Sequence, residues 1–311
     1  MATLVAFGAG GSAGDAAEVL RVSSFAGSRG GGGYVDAAGA NARFNLPQDI
    51  AIDGAGNVYV ADTNNCVIRK ITPGGAVTLV AGQVGVASSL DGPVGVATFQ
   101  APRAVALDNE GNLLVADQGS IRRISTQGVV TTVANVVVWG LVVDSDGNIY
   151  GAEKWDNRIC RITPAGVVTT FAGNATAGAV DGKGTSARFD HPEGIDIDAD
   201  GNLYVADTGN NTVRKITPAG DVSTLAGVPG AYGNVDGSGT DARLNGPRGL
   251  AVDKAGNIYV SENSHSIRRI TSAGVVTTLA GNLLSGSVDG NGTQAQFYQP
   301  LGVDCDATGN V

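Results

Sequence analysis

The sequence predicts one closed all-β domain built from six copies of a single unit. Three observations predict it. The signature Asp-x-x-Gly-Asn recurs six times, beginning at Asp53, Asp108, Asp144, Asp198, Asp253 and Asp306. Self-similarity at a regular period marks stacked or radial units, each too small to bury a core alone. Short alternating segments follow the signature, as in Asn57-Val58-Tyr59-Val60-Ala61, Asn202-Leu203-Tyr204-Val205-Ala206 and Asn257-Ile258-Tyr259-Val260-Ser261. Alternation at period two belongs to strands with one buried face. The 48 glycines and 5% aromatic content suit short strands joined by tight turns, and no segment reads as a long amphipathic helix.

Each unit reads Pro-x-Gly-Ile-Ala-Val-Asp-x-x-Gly-Asn-Ile-Tyr-Val-Ala-Asp, followed by Asn-x-x-Ile-Arg-Lys-Ile-Thr-Pro-x-Gly-x-Val-Thr-Thr-Leu-Ala-Gly. In Asp-x-x-Gly the carboxylate can accept backbone N–H groups two residues on. The glycine takes the left-handed position of a turn with a bulge. Thr-Pro-x-Gly (Thr72–Gly75, Thr163–Gly166, Thr217–Gly220) makes the next hairpin turn. Both motifs are structural.

The sixth copy reaches Val311 where its second strand should begin. The N-terminal segment supplies a counterpart. Val5-Ala6-Phe7 aligns with Val60-Ala61-Asp62, and Val22–Gly27 aligns with Val77–Gly82. Residues 1–27 and 297–311 are therefore expected to form one closing unit of a single domain, 1–311. Sealing a ring this way removes open sheet edges. No linker rich in Pro and Ser and no block of like charge divides the chain.

The string Pro-x-Gly-[Ile/Leu]-Ala-Val-Asp…Gly-Asn-[Ile/Leu]-Tyr-Val-Ala-Asp-Thr-x-Asn resembles the NHL repeat over nearly the whole chain, most closely at His191–Gly227 and Asn245–Gly281. The resemblance implies a six-bladed β-propeller of four-stranded antiparallel blades, the last closed by the N- and C-terminal segments. The insert Val-Asp-Gly-x-Gly-Thr-x-Ala-Arg-Phe at Val180–Phe189, with relatives at Val235–Leu244 and Val288–Phe297, is similar to bacterial NHL proteins. Many of those are exported, so the resemblance also favours an extracytoplasmic location, periplasmic or secreted. The third copy departs from the pattern. It lacks the insert, and Val138-Trp139-Gly140 replaces Pro-x-Gly.

Propellers host unrelated activities, so function is sought where the copies differ. In such a fold the inserts and the Asp-Thr-x-Asn loops share one face, and loops on a rigid scaffold are common binding sites. The residue after the Pro position reads Gln48, Arg103, Trp139, Glu193, Arg248 and Leu301 around the ring. By equivalence these stand at one height at the channel mouth. Two cations, an anion, an amide, an indole and an aliphatic suit a ligand pocket with several polar groups. The alternative is neutral drift in a funnel. Trp155 lies in the loop of the same atypical copy as Trp139, so the two indoles could form a stacking platform for a sugar or peptide, or cover the gap left by the missing insert.

A second ring, Asp62, Asp117, Glu153, Asp207 and Glu262, ends the second strands, with Phe7 breaking it. Each carboxylate is expected to cap its own loop or to pair with a basic residue of the third strand, such as Arg69, Arg122, Arg161, Arg214 or Arg268. The Asp-Gly-x-Gly loops at Asp181, Asp236 and Asp289 read as turns.

Catalytic chemistry finds little purchase. There are two histidines, His191 and His265. The positions equivalent to His191 are Leu46, Ala101, Val137, Gly246 and Gln299, so the His-rich metal site of NHL-like lyases cannot form. A related six-bladed class holds calcium in its channel and acts on lactones. The inner-strand candidates here are Asp49, Glu193, Asp196 and Asp304, and they do not assemble the six or more oxygens that calcium takes. No Ser-His-Asp or Cys-His arrangement is recognisable. Cys66, Cys160 and Cys305 fall at non-equivalent positions, and Cys305 is expected to be buried and inert. Twenty-nine acidic residues against twenty basic ones, a net charge of −9, argue against nucleic acid. No hydrophobic stretch is long enough to span a bilayer, and Met1–Gly11 lacks the pattern of a signal peptide.

The sequence thus favours a non-catalytic binding module. It would hold a protein, peptide or glycan on the insert-bearing face, with Gln48, Arg103, Trp139, Glu193 and Arg248 as direct contacts and Trp155 as an outer platform. No catalytic or metal residue and no cofactor is expected, calcium being the one ion left open. Two alternatives stand beside it: a metal-dependent hydrolase or lyase with a cation near Asp49 and Glu193, and a structural unit of a longer exported or surface protein.

Overall fold

The computed structural model describes residues 4–9, 20–28 and 31–311. It is a β-propeller of antiparallel sheets with only single-turn helices among the described residues. Five sheets carry a complete four-strand blade in chain order. Their inner strands are Pro47–Ile52, Pro102–Leu107, Leu141–Val143, Pro192–Ile197 and Pro247–Val252. A further sheet joins both ends of the chain: Leu4–Ala9, Leu20–Ala26 and Gly290–Asn291. Residues 1–3 and 10–19, which the expected closing unit also includes, lie outside the described residues.

The pairing register corrects one alignment. Val5 lies opposite Ser24 and Phe7 opposite Val22, with a bulge between Leu4 and Val5. In the first blade Arg69 lies opposite Leu79 and Ile71 opposite Val77, with a bulge between Ile68 and Arg69. Leu4–Ala9 therefore occupies the third-strand position, not the second, and Phe7 is no member of the acidic ring.

The turn signature behaves as its chemistry requires. Asp53 Oδ1 accepts the N–H groups of Ala55 at 2.9 Å and Asn57 at 2.8 Å, and the other five copies repeat the arrangement. The signature glycine adopts a φ of 77° at Gly56, a conformation only glycine takes freely.

The core is a ring of apolar clusters, each between neighbouring sheets. Ala61, Ile68 and Ala81 of the first blade meet Val105, Val115 and Val130 of the second. Comparable clusters join the second to the third, the third to the fourth and the fourth to the fifth. Tyr259 and Ile267 of the fifth blade then pack with Val22 of the terminal sheet, and Ala26 of that sheet packs with Val60 and Ile71 of the first blade. The ring closes on itself.

The inserts are more than turns. Gly92–Pro93, Gly182–Lys183 and Gly237–Ser238 each add a fifth strand to the outer edge of a blade. The insert aspartate then reaches a fully buried arginine of the third strand: Asp36 to Arg69, Asp91 to Arg122, Asp181 to Arg214 and Asp236 to Arg268, at 2.6–2.7 Å. The same arginines meet Asp62, Asp117, Asp207 and Glu262 at 2.9–3.5 Å. The acidic ring is thus consumed by local pairing in four copies. Arg161 is not a partner in the third copy. Its register neighbour Cys160 stands opposite Gly151 as Arg214 stands opposite Val205, and Glu153 instead takes Arg158 at 2.8 Å. Among the five complete four-strand blades, the one without an insert is the one without the buried arginine.

Candidate ligand site at the channel mouth

The inner segments enclose a cavity of about 720 Å³. Gln48, Arg103, Trp139, Glu193, Arg248 and Leu301 all line it. The pairing explains why these side chains leave the sheet. In four blades the register slips immediately after the proline, at Pro47/Asp49, Pro102/Ala104, Pro192/Ile195 and Pro247/Leu250. A bulge leaves a residue unpaired and re-aims its side chain, here toward the channel. Where a glycine follows, as at Gly140, Gly194 and Gly249 but not at Asp49 or Ala104, it is a packing requirement. A Cβ on Gly140 would lie 2.5 Å from the Glu193 carbonyl oxygen, and one on Gly194 or Gly249 would strike the Arg248 or Leu301 carbonyl. Gly302 N–H donates to the Gln48 carbonyl at 2.9 Å, so residues 301–304 bridge the fifth and first inner strands.

At the rim the third copy gathers a cluster. Trp139 and Trp155 meet edge to face with centroids 5.6 Å apart, and His191 meets Trp155 the same way at 5.2 Å. The Arg103 guanidinium lies 4.2 Å from the Trp139 ring centroid. Lys154 sits 4.7 Å from Trp139 and 4.9 Å from Trp155, and its Nζ pairs with Glu193 Oε1 at 2.7 Å. Trp155 remains 61% exposed, outside the cavity wall. Across the ring, Arg248 Nε donates to Asn263 Oδ1 at 2.6 Å.

Deeper in the cavity lie Asp49, Asp196 and Asp304. Each spends an oxygen on the neighbouring inner strand, accepting from Val105 N at 3.0 Å, Val252 N at 2.7 Å and Ile52 N at 2.7 Å. Burial, with mutual repulsion, pushes Asp49 up to about 8 and Asp196 up to about 7; burial holds Asp304 at about 6.

Family models for the NHL repeat match residues 44–71 and 189–216, and one for the teneurin NHL domain matches 233–296. NHL repeat-containing protein 2 of Gallus gallus is 29% identical over 86% of this chain, and the human protein of that name 28% over 90%. The chain carries NHL repeats in a propeller fold. It spans 44% and 38% of those two relatives' lengths. A crystal structure of a protein of unknown function from Bacteroides thetaiotaomicron superposes with a TM-score of 0.73 at 21% identity, covering 93% of this chain and 71% of that one, a likeness of fold.

Within this NHL propeller, Asp49 and Glu193 do not form a joint ligand set. Glu193 is held by Lys154, and Asp49 by the backbone of the next blade. Among the described residues no three His, Cys, Asp or Glu side chains are placed to hold a metal ion. Nor is any helix long and apolar enough to cross a membrane. Lys154 escaped the sequence reading. The signal was its place directly after Glu153, where the other copies carry the uncharged Thr63, Gln118, Thr208 and Asn263. His191 is a packing residue: its N–H donates to Asn157 Oδ1 at 2.9 Å and its ring meets Asp190 and Trp155. Cys305 is half-buried, and burial pushes its thiol up to about 12.

Proposed function

We propose that this NHL propeller is a non-catalytic binding module of six blades, the terminal sheet counting as the sixth, with its ligand seated at the channel mouth. One observation carries the reading: four bulges and the Trp139 segment deliver dissimilar side chains to a single cavity whose rim holds both tryptophans. An ordered ring of this kind costs little conformational entropy on binding. Gln48, Arg103, Trp139, Glu193 and Arg248 would contact the ligand, and Trp155 would cover it from outside. The candidate ligands are a protein segment, a peptide or a glycan. The single domain, 1–311, and the extracytoplasmic location belong to the same proposal. The net charge of −9 weighs against a nucleic-acid partner.

The test uses the tryptophans as reporters, since both sit at the site. Peptide and glycan libraries are screened for ligands that change Trp emission of the intact protein. Any ligand found should lose affinity in Trp139→Ala and Trp155→Ala. A ligand bound with full affinity by both variants would place the site elsewhere.

A further inference from the structure

The charge balance around the rim says what the ligand carries. Lys154 and Glu193 cancel at 2.7 Å. The remaining cations are Arg103 and Arg248. Each of the four fully buried arginines of the fold meets two carboxylates. Among the described residues Arg103 and Arg248 meet none within ion-pair distance: one lies over an indole, the other holds a neutral amide. A guanidinium offers five N–H donors in a fork that matches a carboxylate. Arg248 has spent one on Asn263. Two such groups, half-buried in one cavity of a chain with net charge −9, are poised for an anion.

Their placement narrows the ligand further. The order of the inter-sheet cores puts the second and fifth blades on opposite sides of the ring. The floor beneath carries Asp49, Asp196 and Asp304, while the basic side chains of the lining, Arg103, Lys154 and Arg248, stand at the mouth, so an anionic group that descends leaves its partners behind. An anionic ligand is therefore kept at the rim and must reach across it. We propose that the mouth takes an acidic peptide segment lying across the channel, with carboxylates at Arg103 and Arg248 and apolar portions against the edges of Trp139 and Trp155. This rests on the channel-mouth reading above.

The experiment titrates the intact protein with Ac-Glu-Ala-Glu-Ala-Glu-Ala-Glu-NH2 and with its Gln and Lys counterparts, by Trp emission and calorimetry. The Glu peptide should bind at least about tenfold more tightly than the Gln peptide, a difference of about 1.4 kcal/mol. Raised salt should weaken it. Arg103→Gln with Arg248→Gln should abolish that preference while the melting temperature stays near wild type, and Arg103→Lys with Arg248→Lys should restore part of it. Equal affinity for the Glu and Gln peptides, tighter binding of the Lys peptide, or a preference that survives the Gln variant each overturns acidic recognition while leaving the mouth a binding site. If none of the three peptides binds, acidic recognition falls, and the library screen judges the mouth itself.

Discussion

Arg214 offers a direct measure of what holds an insert to its blade. Its side chain is fully buried. The guanidinium donates to the carbonyls of Arg188 at 3.0 Å and Val180 at 3.1 Å, and to the carboxylates of Asp207 at 2.9 Å and Asp181 at 2.6 Å. Asp207 is itself fully buried, and burial pushes it up to about 6 even beside this arginine. Arg214→Met keeps the volume and removes the charge. Asp207 would then keep only the Asp190 N–H at 2.7 Å and the Asn210 amide at 2.8 Å. Breaking a buried pair from one side costs about 3–5 kcal/mol, because the other charge is left uncompensated. With an unfolding entropy of about 2.1 cal/mol/K per residue over 311 residues, this is a fall in melting temperature of about 5–8 °C. Asp207→Asn in the same background removes the stranded charge and should recover part of the loss, so the double-mutant cycle reports a coupling of about 1–3 kcal/mol.

The pH dependence carries the sign of the argument. Asp207 has a folded pKa above its unfolded one, so its contribution to stability is lost as pH rises through the folded value. Without Arg214 that value climbs further, and the variant should be less destabilised at about pH 5 than at about pH 8. Scanning calorimetry or urea unfolding reads all three quantities. A melting temperature within a degree of wild type, or no recovery with Asp207→Asn, would refute the view that these arginines neutralise buried carboxylates.

Three further outcomes follow from the same geometry. Asp49, Asp196 and Asp304 all titrate above their unfolded values, so their contribution is full below about pH 4 and is lost as pH rises to about 8. Asp49→Asn should flatten the resulting decline in denaturant midpoint between about pH 6 and pH 8, and an unchanged slope would show that burial does not hold the Asp49 carboxyl up. Gly173→Ala should destabilise by more than the about 1–3 kcal/mol of backbone strain, because the added Cβ would lie 2.7 Å from the Asn157 carbonyl oxygen and 2.8 Å from the Phe189 ring. Gly85→Ala, at a φ of +72° with nothing within 4 Å, should cost only the strain, and equal melting of the two variants would dismiss the contact. Burial pushes the Cys160 thiol well above its ordinary range, so native protein should resist alkylation there at neutral pH, and rapid labelling at Cys160 would contradict the packing.

What could be read from the residues alone was what local chemistry determines. The Asp53 turn closes on atoms within four residues, so its motif declares itself wherever it occurs. The variable position after the proline could be aligned around the ring because every copy repeats its frame. Errors arose where alternation leaves a choice that only pairing resolves. A strand such as Leu4–Ala9 suits the second or the third position by its pattern, and the partner of Val22 decides between them. Arg161 and Cys160 are one residue apart, and a slip of one turns a side chain to the opposite face. The sequence shows an arginine near the right place, while the register gives the buried position to the cysteine. Non-local pairs were invisible for another reason. Nothing near Asp181 announces Arg214, thirty-three residues on, and nothing near Lys154 announces Glu193, thirty-nine residues on. The third copy nonetheless held the clue to both. It alone lacks the insert, and it alone brings two indoles and a lysine to the rim. Loss of a stapling element and gain of an aromatic rim in the same blade is what a ring would show if one of its copies had exchanged structural duty for contact with a ligand.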